Sequence, residues 1–440
     1  MANRVRSSAL IGGVAVVAVL LLMAQRGQAQ TVASDRAAGY VVFPKVLVDS
    51  TDIFTQGRKV DTLIQLTNTA EAAGSDTGCR VVECVYVDAT MHCTNDVTRQ
   101  CRTSVDCATG GTCGRTDDWQ ERNFFITLSA GQAIGWSADS GATLPADAAC
   151  GTTSQTIPFV PEKFFIGELK CVELQAQDGP PLNANDLKGE ATIYEVATGV
   201  TPTGGVDVRS YNGVGLQAIK TDLSTQSARC VGGTNQGTAC TADAQCLPTG
   251  VGVCLPVLCL GSNPATGAVC GSSAQAYAGC PSTLILNHWF DGALNPKTEN
   301  PITTDLTLVP CTEDLRKVGA AATPATTVQF LVYNEFEQRF SASTSVRCFK
   351  ETQLSRIDTL PGNDSVSIFN FSVQGTLTGQ TRIRPINGTE LDKGHGLLGV
   401  AEEFSRGSGL FPRGSAAFDL DFTGTPTGKA DVVTLHVSTP

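Results

Sequence analysis

Apolar and polar residues alternate with a period of two along much of this chain. Phe418, Leu420 and Phe422 fall on one side and Asp419, Asp421 and Thr423 on the other; Phe369, Phe371 and Val373 alternate in the same way with Asn370, Ser372 and Gln374. Successive side chains of an extended strand point to opposite faces, so this period predicts antiparallel sheet packed on one face and wet on the other. Further strands are readable at 41–48, 62–68, 81–87, 123–128, 167–174, 189–195, 214–219, 283–289, 305–309, 327–334 and 343–349. Turn-forming clusters such as Asp178-Gly179-Pro180-Pro181 and Thr203-Gly204-Gly205 separate them. With no convincing amphipathic helix between them, these short strands predict an all-β chain of two antiparallel β-sandwiches, Ig-like or jelly-roll-like, carrying small disulfide-rich modules as insertions.

The predicted organisation places the first sandwich at 33–222, a cysteine-rich linking module at 228–280 and the second sandwich at 281–440. Thr62-Leu63-Ile64-Gln65-Leu66-Thr67-Asn68 and Thr327-Val328-Gln329-Phe330-Leu331-Val332-Tyr333-Asn334 suggest two copies of one plan, with a single composite β-domain as the alternative. Two four-cysteine patterns interrupt the alternation: Cys93, Cys101, Cys107 and Cys113, then Cys230, Cys240, Cys246 and Cys254. Each spans 21 to 25 residues, mostly Gly, Thr, Ala, Asp and Asn, too little apolar surface to fold unaided. Zinc would need thiolate pairs two to four residues apart, often with His, and neither module has such a pair. Disulfides are therefore expected in both.

The first module lies between the strand ending near Ala89 and the strand beginning near Asn123. Loop-closure cost grows slowly with length, so the module reads as a projecting insertion that is dispensable to the sandwich. Cys79, Cys84, Cys150, Cys171, Cys259, Cys270, Cys280, Cys311 and Cys348 lie outside both modules. The total of 17 is odd, which leaves at least one thiol free or bonded to another chain; spacing does not give the connectivity.

Residues 1–29 read as a signal peptide. Arg4 and Arg6 precede an apolar run from Ala9 to Met23, and Gly27-Gln28-Ala29 offers the small residues of a cleavage site, so the mature chain is expected to begin at Gln30. The run is shorter than the roughly 20 residues of a spanning helix. No second apolar segment follows, and together with the cysteines this predicts a secreted or cell-surface protein with no transmembrane segment after cleavage. A formal net charge of −11 with scattered Lys and Arg argues against nucleic acid or an anionic membrane as partner. A surface glycan or another extracellular protein is the expected partner.

No catalytic, cofactor or metal site is predicted. The four histidines, His92, His288, His395 and His436, show no metal spacing, and Arg406-Gly407-Ser408-Gly409 falls one Gly short of a nucleophile elbow. His288, Trp289 and Asp291 form the most suggestive ligand-contact set, an aromatic platform beside polar groups, although a core position for Trp289 explains it more simply. Trp119, Trp136 and Trp289 are the aromatics a carbohydrate-binding reading would use. Glu335 with Glu337, and Glu402 with Glu403, are the pairs a glycoside hydrolase reading would use; alternation puts Phe336 inward and leaves Glu335 and Glu337 on a solvated face. Asp419 and Asp421, candidate Ca²⁺ ligands, are explained as the wet face of one strand.

Phe43-Pro44-Lys45-Val46-Leu47-Val48-Asp49, the strand from Thr62 to Asn68, and Asp118-Trp119-Gln120-Glu121-Arg122-Asn123-Phe124 together resemble a group of uncharacterised secreted β-sandwich proteins of Gram-negative environmental bacteria. Gly167-Glu168-Leu169-Lys170-Cys171, Leu187-Lys188-Gly189-Glu190-Ala191 and Asn334-Glu335-Phe336-Glu337-Gln338-Arg339-Phe340 are similar to segments recurring in that group. The four-cysteine units resemble small repeats that decorate such proteins. The resemblance spans roughly half the chain and implies an exported sandwich, with no chemistry to carry over. The functional expectation is an exported structural, adhesive or surface-interaction protein that is not an enzyme, with carbohydrate binding and then glycoside hydrolysis as alternatives.

Overall fold

The computed structural model describes residues 32–422 apart from 115–120, 199–205, 220–227, 232–242, 246–252, 261–274, 279–280, 311–324, 387–395, 408–413 and scattered single positions. The expected signal peptide, Trp119, Cys240 and Cys246 lie outside the described residues. Among those described, antiparallel sheet dominates and the all-β, sandwich-like class holds. No described helix is long and apolar enough to cross a membrane.

The first sandwich is one ten-stranded sheet folded over on itself. Its main strands are β1 (Tyr40–Asp49), β2 (Arg58–Asn68), β3 (Arg80–Asp88), β4 (Glu121–Leu128), β5 (Ala133–Ser137), β6 (Phe164–Leu174), β7 (Leu187–Ala197), β8 (Val206–Asn212) and β9 (Val214–Leu216). One layer runs β9-β1-β6-β3-β4 and the other β8-β7-β2-β5, joined where Asp49 pairs with Val60. Alternation buries Val60, Ile64 and Leu66 of β2 and leaves Lys59, Leu63 and Gln65 outside. Trp136 of β5 crosses the core, its indole N–H donating to the Tyr86 hydroxyl of β3 at 2.7 Å. That full burial removes Trp136 from the exposed aromatics a sugar-binding reading would use.

Four disulfides staple this region. Cys84 and Cys171 face each other across β3 and β6 with Cα atoms 4.1 Å apart, and Cys79 joins Cys150. In the first module Cys93 pairs with Cys107 and Cys101 with Cys113, so two short loops interlock. The sulfurs of Cys93, Cys101 and Cys107 lie within 4.8 Å of one another because the two bonds share the module's centre. In the second module Cys230 and Cys254 occupy directly opposed positions on the paired strands Ala228–Val231 and Val253–Leu260.

The first module does not project freely. His92, Cys93 and Cys101 are buried. The Gln100 amide donates to the Phe164 carbonyl at 2.8 Å and to Glu162, which also meets the His92 ring at 3.2 Å. Arg102 reaches Glu351 of the second sandwich at 3.1 Å. His92, Gln100 and Arg102, each next to a module cysteine, thus seat the module on both sandwiches, a function that loop-length reasoning does not reveal.

The second sandwich comprises β10 (Leu284–Trp289), β11 (Ile302–Pro310), β12 (Ala325–Asn334), β13 (Arg339–Arg347), β14 (Lys350–Gln353), β15 (Thr378–Pro385), β16 (Leu397–Ser405), β17 (Gly414–Asp419) and β18 (Asp421–Phe422). Its sheets are β13-β12-β15-β10-β18 and β14-β11-β16-β17. Leu420 is buried where the chain leaves one sheet for the other, so Asp419 and Asp421 belong to strands of different sheets and not to one wet face. Phe369 to Gln374 is not a strand either: Phe369 is buried, and Phe371–Gln374 forms a single helical turn, α1. The Asn370 side chain caps it by accepting from Ser372 N, and Gly375, at φ 67°, closes it in the left-handed conformation.

β16 is buried on both faces. Leu397 and Ala401 pack into the second core, while Leu398 and Val400 join the core cluster of the first sandwich. Glu402, on the same face as Leu398, meets Lys45 of β1, and its other oxygen lies 2.5 Å from Arg209 of β8. Lys45 also bonds Glu351 at 2.5 Å, and Arg209 bonds Glu195 at 2.8 Å and Asp207 at 3.0 Å. Burial works against the Lys45 ammonium, yet Glu351 and Glu402 hold its pKa above the ordinary value. Burial likewise opposes ionisation of Glu402, but Lys45 and Arg209 pull it down to about 2. The two sandwiches therefore meet across a buried network of ion pairs.

Candidate functional site

Strands β12, β15 and β10 lie side by side, and their solvent-facing side chains line a groove of about 510 Å³. Residue pairing sets the floor: Trp289 opposes Thr378, Asn287 opposes Gln380, and Gln380 opposes Tyr333. Trp289 and Tyr333 are half-buried and line the groove, the Arg382 guanidinium lying 5.4 Å from the centre of the Tyr333 ring. The Gln380 amide donates to Asn287 Oδ1 at 3.0 Å, which leaves the Asn287 amide nitrogen and the Gln380 carbonyl oxygen as the donor and acceptor of the floor. Beneath it, Gly379 allows Phe290 to pack close: a Cβ there would come within 2.4 Å of the Phe290 ring and 2.7 Å of the Tyr333 carbonyl.

Two carboxylates form the walls. Glu335 accepts from the Thr378 backbone N–H at 3.1 Å and hydroxyl at 2.6 Å. Glu403, projecting from the core-side face of β16, accepts from Trp289 N at 3.2 Å. Burial raises the pKa of Glu403 above the usual carboxylate range, partly offset by that N–H. Phe290 N donates to Leu377 O, so Trp289 and Thr378 form the kind of pair whose own N–H groups point away from each other. The carboxylates thus grip one rung of the ladder from opposite sides.

The sequence-predicted residues divide here. Trp289 lines the groove and is not a core residue. His288 turns its ring inward, held by Thr381 Oγ1 at 2.8 Å and the Trp289 carbonyl at 2.9 Å; burial lowers its pKa to about 4. Asp291 is buried and structural, accepting from Thr304 N, Ser355 N and Gln353 Nε2. The pairing of Glu335 with Glu337 dissolves, because Asn334 closes a tight turn by accepting from Phe336 N and Gln338 N. Phe336, expected inward, is 68% exposed at its tip. Glu402 and Glu403 part company: one is locked in the contact between the sandwiches and the other walls the groove. Tyr333, Asn287 and Gln380 were missed by sequence reasoning, although their alternation with buried Val332, Leu286 and Thr381 marks them as outward-facing.

Comparison with known protein families and with characterised proteins returns no match.

Proposed function

We propose that this chain is an exported surface-interaction protein that binds glycan in the groove across β12, β15 and β10. The observation that carries this reading is the pairing of two half-buried aromatic rings with amide and carboxylate groups in one open concavity. Aromatic faces stack on the C–H faces of sugars, and fixed polar groups bond their hydroxyls, the mixture expected of a ligand site. Four disulfides fit an oxidising compartment outside the cytosol. A glycan array probed with the purified chain and with Trp289→Ala provides the test. Retention of one or more glycans by the parent and loss by the variant is expected; a blank array would overturn the reading.

The convergence of Glu335 and Glu403 on one groove favours glycoside hydrolysis as a second reading, since an acid raised by burial beside a second carboxylate is the arrangement such chemistry uses. Release of reducing sugar by the parent and its abolition in Glu403→Gln would establish it over binding alone.

A further inference from the structure

Resting on the glycan-binding reading of this groove, we infer that the glycan it takes carries free primary ammonium groups, as in a partly or fully deacetylated hexosamine polymer. The charge of the lining points there. Glu335 and Glu403 are its ionisable walls, and no lysine or arginine lines it. His288 has both ring nitrogens engaged in the core, and the Arg382 guanidinium lies at the rim, 5.4 Å from the centre of the Tyr333 ring and away from both carboxylate walls' own hydrogen bonds.

A neutral sugar would remove water from both carboxylates and return only hydroxyl hydrogen bonds. Glu403, already half-buried, would then stand as a desolvated carboxylate held by one backbone N–H. An ammonium group supplies the missing charge and three donors. Trp289 adds to the preference, because the face of an aromatic ring attracts a cation; the Tyr333 ring already carries Arg382. The net charge of −11 adds a field of the same sign at longer range.

The glycan is favoured over a lysine-rich peptide by what the groove offers. Its floor is the face of a sheet whose backbone groups are used in pairing β12 with β15 and β15 with β10. Between these three paired strands no edge is left for an extended peptide, whereas the Asn287 and Gln380 amides match hydroxyls.

Calorimetry with oligomers of equal length, glucosamine, N-acetylglucosamine and glucose, tests the inference at low salt. The glucosamine oligomer should bind about tenfold more tightly than the other two, the gain expected from two partly solvated ion pairs. Glu335→Gln with Glu403→Gln keeps acceptors for the Thr378 and Trp289 N–H groups while removing both charges, and should level the three affinities. If the double variant fails to fold by circular dichroism, Glu335→Gln alone, on an exposed turn, should remove part of the preference. Equal affinities for the three oligomers in the parent would overturn the ammonium inference and leave glycan binding standing. No binding of any of them, with a blank array, would overturn both. Tighter binding of an oligolysine than of the glucosamine oligomer would replace the glycan by a basic peptide.

Discussion

The two sandwiches use polar residues in opposite ways. In the first, polar side chains at strand ends and along β8 point inward: Asp207, Arg209 and Tyr211 are buried while Val206 and Val208 are more than half exposed. In the second, polar residues line the wet face of β12, β15 and β10, and the core beneath is closed by Leu284, Leu286, Phe290, Phe330 and Phe369. The first sandwich thus commits charges to holding a neighbour and its cysteines to holding itself, whereas the second keeps polar groups on an open face. A charged residue on a strand reports function only after its facing neighbour is known.

The contact between the sandwiches is where this comparison breaks most readily. Glu402→Ala would remove the buried carboxylate that Lys45 and Arg209 share, leaving Lys45 with Glu351 and Arg209 with Glu195 and Asp207, and a loss of about 3–5 kcal/mol is expected in denaturant unfolding. The unfolding curve should also split, with Trp136 fluorescence reporting the first sandwich and Trp289 the second, in a Trp119→Phe background. A single unshifted transition would show that the ion pairs contribute nothing.

Replacing Cys84 and Cys171 together by Ala should cost about 2–5 kcal/mol, because the bond closes a separation of 87 residues. The loss should fall on the Trp136 signal more than on the Trp289 signal. Equal losses at both would mean that the sandwiches unfold as one unit.

Acid and base should act on the sandwiches in opposite senses. His288 has a folded pKa of about 4, below its unfolded 6.5, so as pH falls between these values the unfolded chain takes up a proton that the folded chain refuses. The second sandwich therefore loses up to about 1.4 kcal/mol per pH unit across that window. Glu173 of β6, pushed to about 8 by burial and then by Asp186, behaves in reverse: between 4.5 and 8 the folded chain keeps a proton that the unfolded chain releases, and the first sandwich loses stability as pH rises. His288→Asn should flatten the acid limb and Glu173→Gln the basic limb in melting curves recorded across pH.

The smallest expected effect on stability is the most informative about the groove. Trp289→Ala removes a half-buried ring from the wet face and should cost no more than about 1–2 kcal/mol, against 3–5 for a core tryptophan such as Trp136. Glycan retention should vanish all the same. A stability loss equal to that of Trp136→Ala would return Trp289 to the core.

Much of the fold is legible in the sequence because most strands obey the rule of apolar inside. The strands around 41–48, 62–68 and 327–334 emerge where alternation or apolar runs place them. The failures share a cause. β8 is not legible as a strand at all: its polar side is the buried one, so hydrophobicity alone gives it no inward face. The run from Phe369 to Gln374 satisfies a strand period by coincidence, and the better signal was local: an Asn that can cap a helical turn and a Gly five residues on that can end it. At Phe336 the alternation was carried past Asn334, where a side chain that bonds its own following backbone had already turned the chain. The groove was half visible, through Trp289, but its walls come from positions 68 residues apart in sequence, Glu335 and Glu403, and only pairing geometry brings them to one rung.

β16 has no idle face, and this bears on the order in which the molecule assembles. The first sandwich is complete in sequence by Leu216, whereas β16 begins at Leu397. As the chain emerges from its amino end, the part of the first core that Val400 and Leu398 complete must wait in water. Arg209 already has Glu195 and Asp207 of its own sandwich, but Lys45 stands there with no carboxylate of the first sandwich bonded to it, a cation on an uncovered strand face until Glu351 and Glu402 arrive. The same lysine that later ties the halves together is, until then, a guard on the unfinished surface.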